Sequence, residues 1–232
     1  MDRKATGDEK PHYLGHRKRL RERFLSSGPD SLTDYEMLEM LLFPAYPRQD
    51  VKPLAKALLK RYGNFANVLQ AEPKDLLATP GMGEAAMVAL KTVLEATLRL
   101  ARQELLHQPV IGSWQQLLDY LYTAMAHRKN EHFRLLFLDR KNALIADEVQ
   151  QSGTVDHAPI YPREIVRRAL DFGASAIIMV HNHPSGDPTP SKTDIAMTKE
   201  VRQACETLGI ELYDHVIIAK QGHQSFKTMG LL

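Results

Sequence analysis

HNHPSGDPTPSKTD, residues 181–194, decides how the second half of this chain is read. His181 and His183 stand one residue apart, a turn carrying Pro184, Pro188 and Pro190 follows, and Ser191 comes three residues before Asp194. The preceding SAIIMV, residues 175–180, is a short continuous apolar run, the pattern of a strand buried on both faces. If that strand continues into the histidines, side chains at i and i+2 share a face and both imidazoles emerge together. The prolines keep a helix from running through the connection, so the chain turns before it restarts. Asp194 then falls in the first turn of the next helix, where a carboxylate reaches back toward the two rings. Two imidazoles and a carboxylate suit zinc, whose catalytic sites commonly use three protein ligands and leave a fourth place for water. Ser191-Lys192-Thr193-Asp194 also reads as a capping box, the serine capping the helix and the acid bonding back to the backbone. The cap accounts for Ser191 and Asp194 without a metal. It does not account for two histidines on one strand face beside them.

Outward from this stretch the periodicity alternates between strands and helices. HFRLLFLD is apolar and aromatic over strand length, and NALIADEVQ reads as its hairpin partner with Lys141-Asn142 in the turn. TVDHAPI reads as a third strand, and YPREIVRRALDFGA opens on a first-turn proline and closes on glycine, as a helix does. SKTDIAMTKEVRQACETLG is a helix, ELYDHVIIA a final strand, and SWQQLLDYLYTAMAH a helix before the first strand. Everything up to about residue 107 is helical in pattern. The expected fold is therefore α+β: an all-helical domain over 1–107, then an α/β domain over 108–232 with a mixed sheet flanked by helices.

The helical half carries two features of its own. LLATPGMGEAAMVAL, residues 76–90, resembles a helix-hairpin-helix element, in which glycines let backbone amides at a helix start approach a phosphate. A tight inter-helix turn also wants glycine, and Glu84 beside Gly83 opposes a phosphate, while Lys91 arrives a few residues late for the expected helper lysine. His16, Arg17, Lys18, Arg19, Arg21 and Arg23 form the densest basic cluster, which offers either a phosphate contact or a solvated helix face. DNA contact through this domain is one expectation; the whole chain's net charge of +2 gives it no support.

The single cysteine, Cys205, excludes an internal disulfide and any multi-cysteine zinc site, and reads as a small buried apolar residue. No apolar run approaches the ~20 residues of a membrane span, and MDRKATGDEK lacks the apolar centre of a secretory signal. A cytoplasmic protein with no membrane partner is expected. The pattern does not specify an oligomeric state.

H-x-H, seven residues, then S-x-x-D is the signature of the JAMM (MPN+) zinc metalloprotease family, and it stands here as His181, His183, Ser191 and Asp194. HNHPSGDPTPS, with GTVDHAPIYPRE upstream, resembles the bacterial RadC-type (UPF0758) branch, and the likeness extends to the helical N-terminal region. The resemblance implies a JAMM/MPN-type domain with a curved mixed sheet, and a Zn2+-dependent peptidase or isopeptidase-like hydrolase acting on a peptide or protein substrate. It implies His181, His183 and Asp194 as zinc ligands. For the catalytic base, composition leaves Glu131, Asp139, Asp147, Glu148, Asp156 and Glu164 open; the resemblance implies Glu131, at the start of the first strand. It also implies Ser191 as a donor to the oxyanion, a role compatible with capping. Asn182 departs from the Ser or Thr of deubiquitinating members; facing away from the metal, it bears on substrate contacts. Asp156 and His157 line the cleft or serve the turn, and His215 reads as a structural histidine. The competing reading is a DNA-associated repair or recombination module whose JAMM-type domain is a scaffold without turnover; a metal-dependent nuclease is a third.

Overall fold

The computed structural model describes residues 15–152 and 161–232. The strand expected over TVDHAPI, with Asp156 and His157, lies outside these residues. Two compact units divide the chain, Met1–Glu95 and Ala96–Leu232.

The first unit is helical. Helices α1 (His16–Ser27), α2 (Asp34–Leu42), α3 (Lys52–Tyr62), α4 (Phe65–Gln70) and α5 (Pro73–Leu77) lead into the long α6 (Glu84–Leu105). Their starts follow from local chemistry. Thr33 and Glu36 close a capping box on α2, the Asn64 side chain caps α4, and prolines occupy the first turns of α3 and α5. Gly63, at φ 91°, ends α3 in a backbone conformation that suits glycine. Leu38, Leu42, Leu58, Val68, Leu76 and Leu90 are wholly buried at the centre of this unit.

The second unit is a five-stranded mixed sheet between helices. The last turns of α6 belong to it through Leu98, Ala101 and Leu105, so the division between units falls inside a helix and ahead of the change of texture at residue 108. Then come α7 (Trp114–Met125), β1 (His132–Leu138), β2 (Leu144–Ser152), α8 (Pro162–Asp171), β3 (Ala176–Asn182), α9 (Lys192–Glu206), β4 (Glu211–Ala219) and β5 (Gly222–Ser225). The strand order is β2-β1-β3-β4-β5, with β3 and β4 parallel and the other neighbours antiparallel. ELYDHVIIA is thus not the final strand. β4 turns back through Lys220-Gln221 into β5, whose four residues, GHQS, are too short and polar to announce a strand.

β3 lies at the centre of the sheet and is buried along its whole length, as SAIIMV requires. Its Ile178 and Val180 meet α7 on one face, while Ile177 and Met179 meet α8 and α9 on the other. Cys205, on α9, is buried in that second layer, where burial pushes its thiol up to about 11. The hairpin from β1 to β2 turns where expected: Asn142 has φ 56° and its N–H donates to the Asp139 carbonyl.

Phe137, fully buried against Phe172 with ring centroids 4.7 Å apart, anchors the α8–α9 face. Phe137→Ala should destabilise the second unit by about 3–5 kcal/mol. Trp114, the one tryptophan, lies in that unit, so its fluorescence in a denaturant titration reports the loss as a lower midpoint.

Candidate metal centre

β3 delivers His181 at its end and His183 one residue beyond, held by a bond from the His183 N–H to the Ile218 carbonyl at 2.9 Å. The odd-numbered side chains of this strand face α8 and α9, so both imidazoles open toward the start of α9. There Ser191 is the helix cap. Its Oγ accepts the Asp194 N–H at 3.1 Å, and its own N–H donates to Asp194 Oδ2 at 2.7 Å, completing a capping box. The Ser191 hydroxyl also lies 2.6 Å from Oδ2 and donates to it. Oδ2, fixed by the cap, lies toward His183, while Oδ1 faces His181. Cap and candidate ligand are the same side chain.

The three donors converge. His181 Nε2 lies 3.0 Å from His183 Nε2 and 3.4 Å from Asp194 Oδ1, and His183 Nε2 lies 3.5 Å from Asp194 Oδ2. Two donors ~2.0–2.1 Å from one tetrahedral ion stand roughly 3.3 Å apart, so these spacings fit a zinc ion. The donor chemistry fits too. His183 Nδ1 lies 2.9 Å from the Asp187 main-chain oxygen, which can only accept, so the ring proton of neutral His183 sits on Nδ1 and its Nε2 offers a lone pair. Asp187 is itself oriented by a turn in which its Oδ1 accepts from the Thr189 N–H and hydroxyl. The pocket attracts positive charge: the hydrogen bond to Asp194 raises His183 above its ordinary range. Burial alone would raise Asp194, but hydrogen bonds from His183 and Ser191 offset it and hold the carboxyl well below the usual carboxylate range. Among the described residues, this is the one group of three or more His, Cys, Asp or Glu side chains placed to share an ion.

Glu131, half-exposed just ahead of β1, brings Oε1 to 4.0 Å from His181 Nε2. The other described carboxylates that composition left open have partners elsewhere. Asp139 holds the β1–β2 turn through the N–H groups of Lys141 and Ala143, and Asp147 is buried against Arg134 and the Tyr120 hydroxyl. Glu148 pairs with Arg168, and Glu164 with Arg167.

Asn182 corrects the sequence expectation. It does point away from the two rings, but it is completely buried, and its side chain is spent on bonds within the fold rather than presented at the surface. Its Oδ1 accepts the His132 N–H at 2.8 Å and its Nδ2 donates to the Asn130 carbonyl at 3.1 Å. The residue between the two histidines therefore fixes the backbone on both sides of Glu131. His215 stands outside the three-donor set, yet it touches it: its Nε2 is 2.8 Å from His181 Nδ1 and its Nδ1 2.6 Å from Thr198 Oγ1. Burial drives its imidazole well below the ordinary range. Thr198 escaped the sequence reading. It lies four residues after Asp194, on the same helix face, and that spacing was its one available signal.

Comparison with known proteins shows the family. The family model described as RadC-like JAB domain matches residues 111–231, and that described as UPF0758 N-terminal matches 13–88. The chain belongs to the RadC-type UPF0758 family. It is 60% identical to a UPF0758 protein of Rhodobacter capsulatus over 92% of this chain and all of that one. To a UPF0758 protein of Ruegeria pomeroyi it is 55% identical over 96% of this chain and the whole relative. The RadC-like domain is thus the unit that carries the three donors.

In the N-terminal unit of this RadC-type chain, the hairpin amide has a partner inside the fold. The Gly83 N–H donates to Tyr46 Oη at 2.7 Å, and that hydroxyl donates to the Gly81 carbonyl at 2.7 Å. Lys91 donates to the Leu69 carbonyl at 2.6 Å. Of the basic cluster, Arg17 caps the chain after α2 at the carbonyls of Phe43, Tyr46, Pro47 and Gln49, Arg23 pairs with Glu36, and His16 bonds Glu39 at 2.6 Å. Among the described residues, no helix is long and apolar enough to cross a membrane.

Replacing Asn182 removes the anchor of the Glu131 segment. Asn182→Ala should cost roughly 1–3 kcal/mol per buried group left unpaired. The His132 amide should then exchange with solvent roughly tenfold faster or more, read by hydrogen exchange; unchanged exchange would assign that anchoring elsewhere.

Proposed function

We propose that this protein is a zinc-dependent hydrolase of peptide or isopeptide bonds, with His181, His183 and Asp194 holding the metal and Glu131 acting as the base. One observation carries the reading: three donor atoms with lone pairs to give converge at spacings a tetrahedral ion requires, with a carboxylate 4.0 Å away. His181, His183 and Asp194 would hold a zinc ion, which when bound would supply activation of water and polarisation of a carbonyl. Glu131 is half-exposed, so a water and a substrate can reach it. It takes the proton of the attacking water and returns it to the departing amine, one group serving as base and then as acid. Asn182 holds the backbone around Glu131 so that its carboxylate stays on the histidine side. Ser191 orients Asp194; donation to a developing oxyanion would follow only if its hydroxyl turned away from Oδ2.

The zinc-loaded chain should cleave members of a peptide and isopeptide library. On the best substrate, Glu131→Gln should retain zinc while kcat falls by at least ~100-fold, the scale of a lost general base. His183→Ala should lose both metal and turnover. Undiminished turnover by Glu131→Gln would remove Glu131 from the mechanism.

A further inference from the structure

The bonds behind His181 form a chain in which each proton can be placed. The Asp194 main-chain oxygen only accepts, and Thr198 Oγ1 lies 2.6 Å from it, so the Thr198 hydroxyl donates there. A hydroxyl has one hydrogen. Toward His215 Nδ1, 2.6 Å away, the same oxygen must therefore accept, and His215 carries a proton on Nδ1. His215 has no exposed surface, and its ring stacks on Phe226 with centroids 4.4 Å apart and meets Phe133 edge-on. Such surroundings oppose a charged imidazole and leave Nε2 as a lone pair. That lone pair lies 2.8 Å from His181 Nδ1, which must donate to it. The remaining nitrogen of His181, Nε2, then has its lone pair facing His183 and Asp194.

We propose that Thr198 and His215 are positioning residues that select the His181 tautomer able to bind a metal through Nε2. A His181 ring with its proton on Nε2 would present an N–H to the cation instead of a lone pair. The arrangement also links two candidate ligands through the fold. Asp194 and Thr198 sit one turn apart on α9, His215 sits on β4, and His181 on β3, so the helix that supplies one ligand also fixes the proton of another. The proposal rests on the metal reading for its purpose, but the tautomer exists with or without a metal.

The test uses the full chain, labelled with 15N and free of metal. Long-range proton–nitrogen spectra of the histidine rings should show His181 and His215 both protonated at Nδ1 with bare Nε2 atoms. Thr198→Val keeps the shape of the side chain but removes the hydroxyl; His181 should then show protonation at Nε2 in part or in full. Zinc affinity, measured by competition with a chelator, should fall about 10–100-fold, the range for a lost partner of a metal ligand. Thr198→Ser should restore both readouts. A parent protein with His181 protonated at Nε2 would overturn the proposal, as would Thr198→Val with unaltered ring spectra and affinity. Failure of the metal reading shows separately, as a parent that takes up no zinc while its ring spectra still decide the tautomer.

Discussion

The Asp194 carboxylate does two jobs that are usually done by different residues, closing a helix start and facing two imidazoles, and the site depends on that union. Oδ2 takes the N–H and hydroxyl of Ser191 and so closes the start of α9; Oδ1 is left facing His181. A glutamate, the commoner residue at this place in a capping box, has a longer reach back to the cap. Aspartate keeps its carboxylate close to its own helix turn. The helix start and the cluster are thus one structure: loosening the cap would move an oxygen away from the imidazoles.

The opposite wall of the cluster is as firmly set. β3 is buried from end to end, paired on both sides, and sandwiched between α7 and the α8–α9 layer, so the two histidines that follow Val180 have little freedom in where they emerge. Around them, each ring has its second nitrogen assigned, His183 by the Asp187 carbonyl and His181 by His215. Asn182, on the other face of the strand, extends the same rigidity to the backbone on either side of Glu131. His181 is therefore held by a buried bond, His183 and Asp194 by bonds of their own, and Glu131 by its anchored backbone, which is what a preorganised site needs.

Much of this was legible in the chain. The apolar run before H-x-H marks a central strand, the prolines mark the turn, and S-x-x-D marks a helix start, so the pattern alone brings the three donors together. What was hidden was tertiary. Thr198 and His215 stand far apart in sequence and meet only because β4 pairs parallel to β3 beneath α9. Asn182 was placed on the correct face, but its partners in 130–132 lie about 50 residues away and carry no local signal. β5 was missed because four polar residues bear no apolar period. In the helical half, a P-G-M-G hairpin was visible, whereas the Tyr46 hydroxyl that occupies its Gly83 amide comes from a loop 37 residues earlier.

The central claim is that His181, His183 and Asp194 form a metal centre. Elemental analysis of the chain, purified without a histidine tag and compared with the His181→Ala/His183→Ala double variant, tests it most directly. About one equivalent of zinc in the parent and none in the variant is the result predicted here. A parent that remains free of metal after incubation with zinc would contradict it, and the three side chains would then be the end of a strand and the cap of a helix.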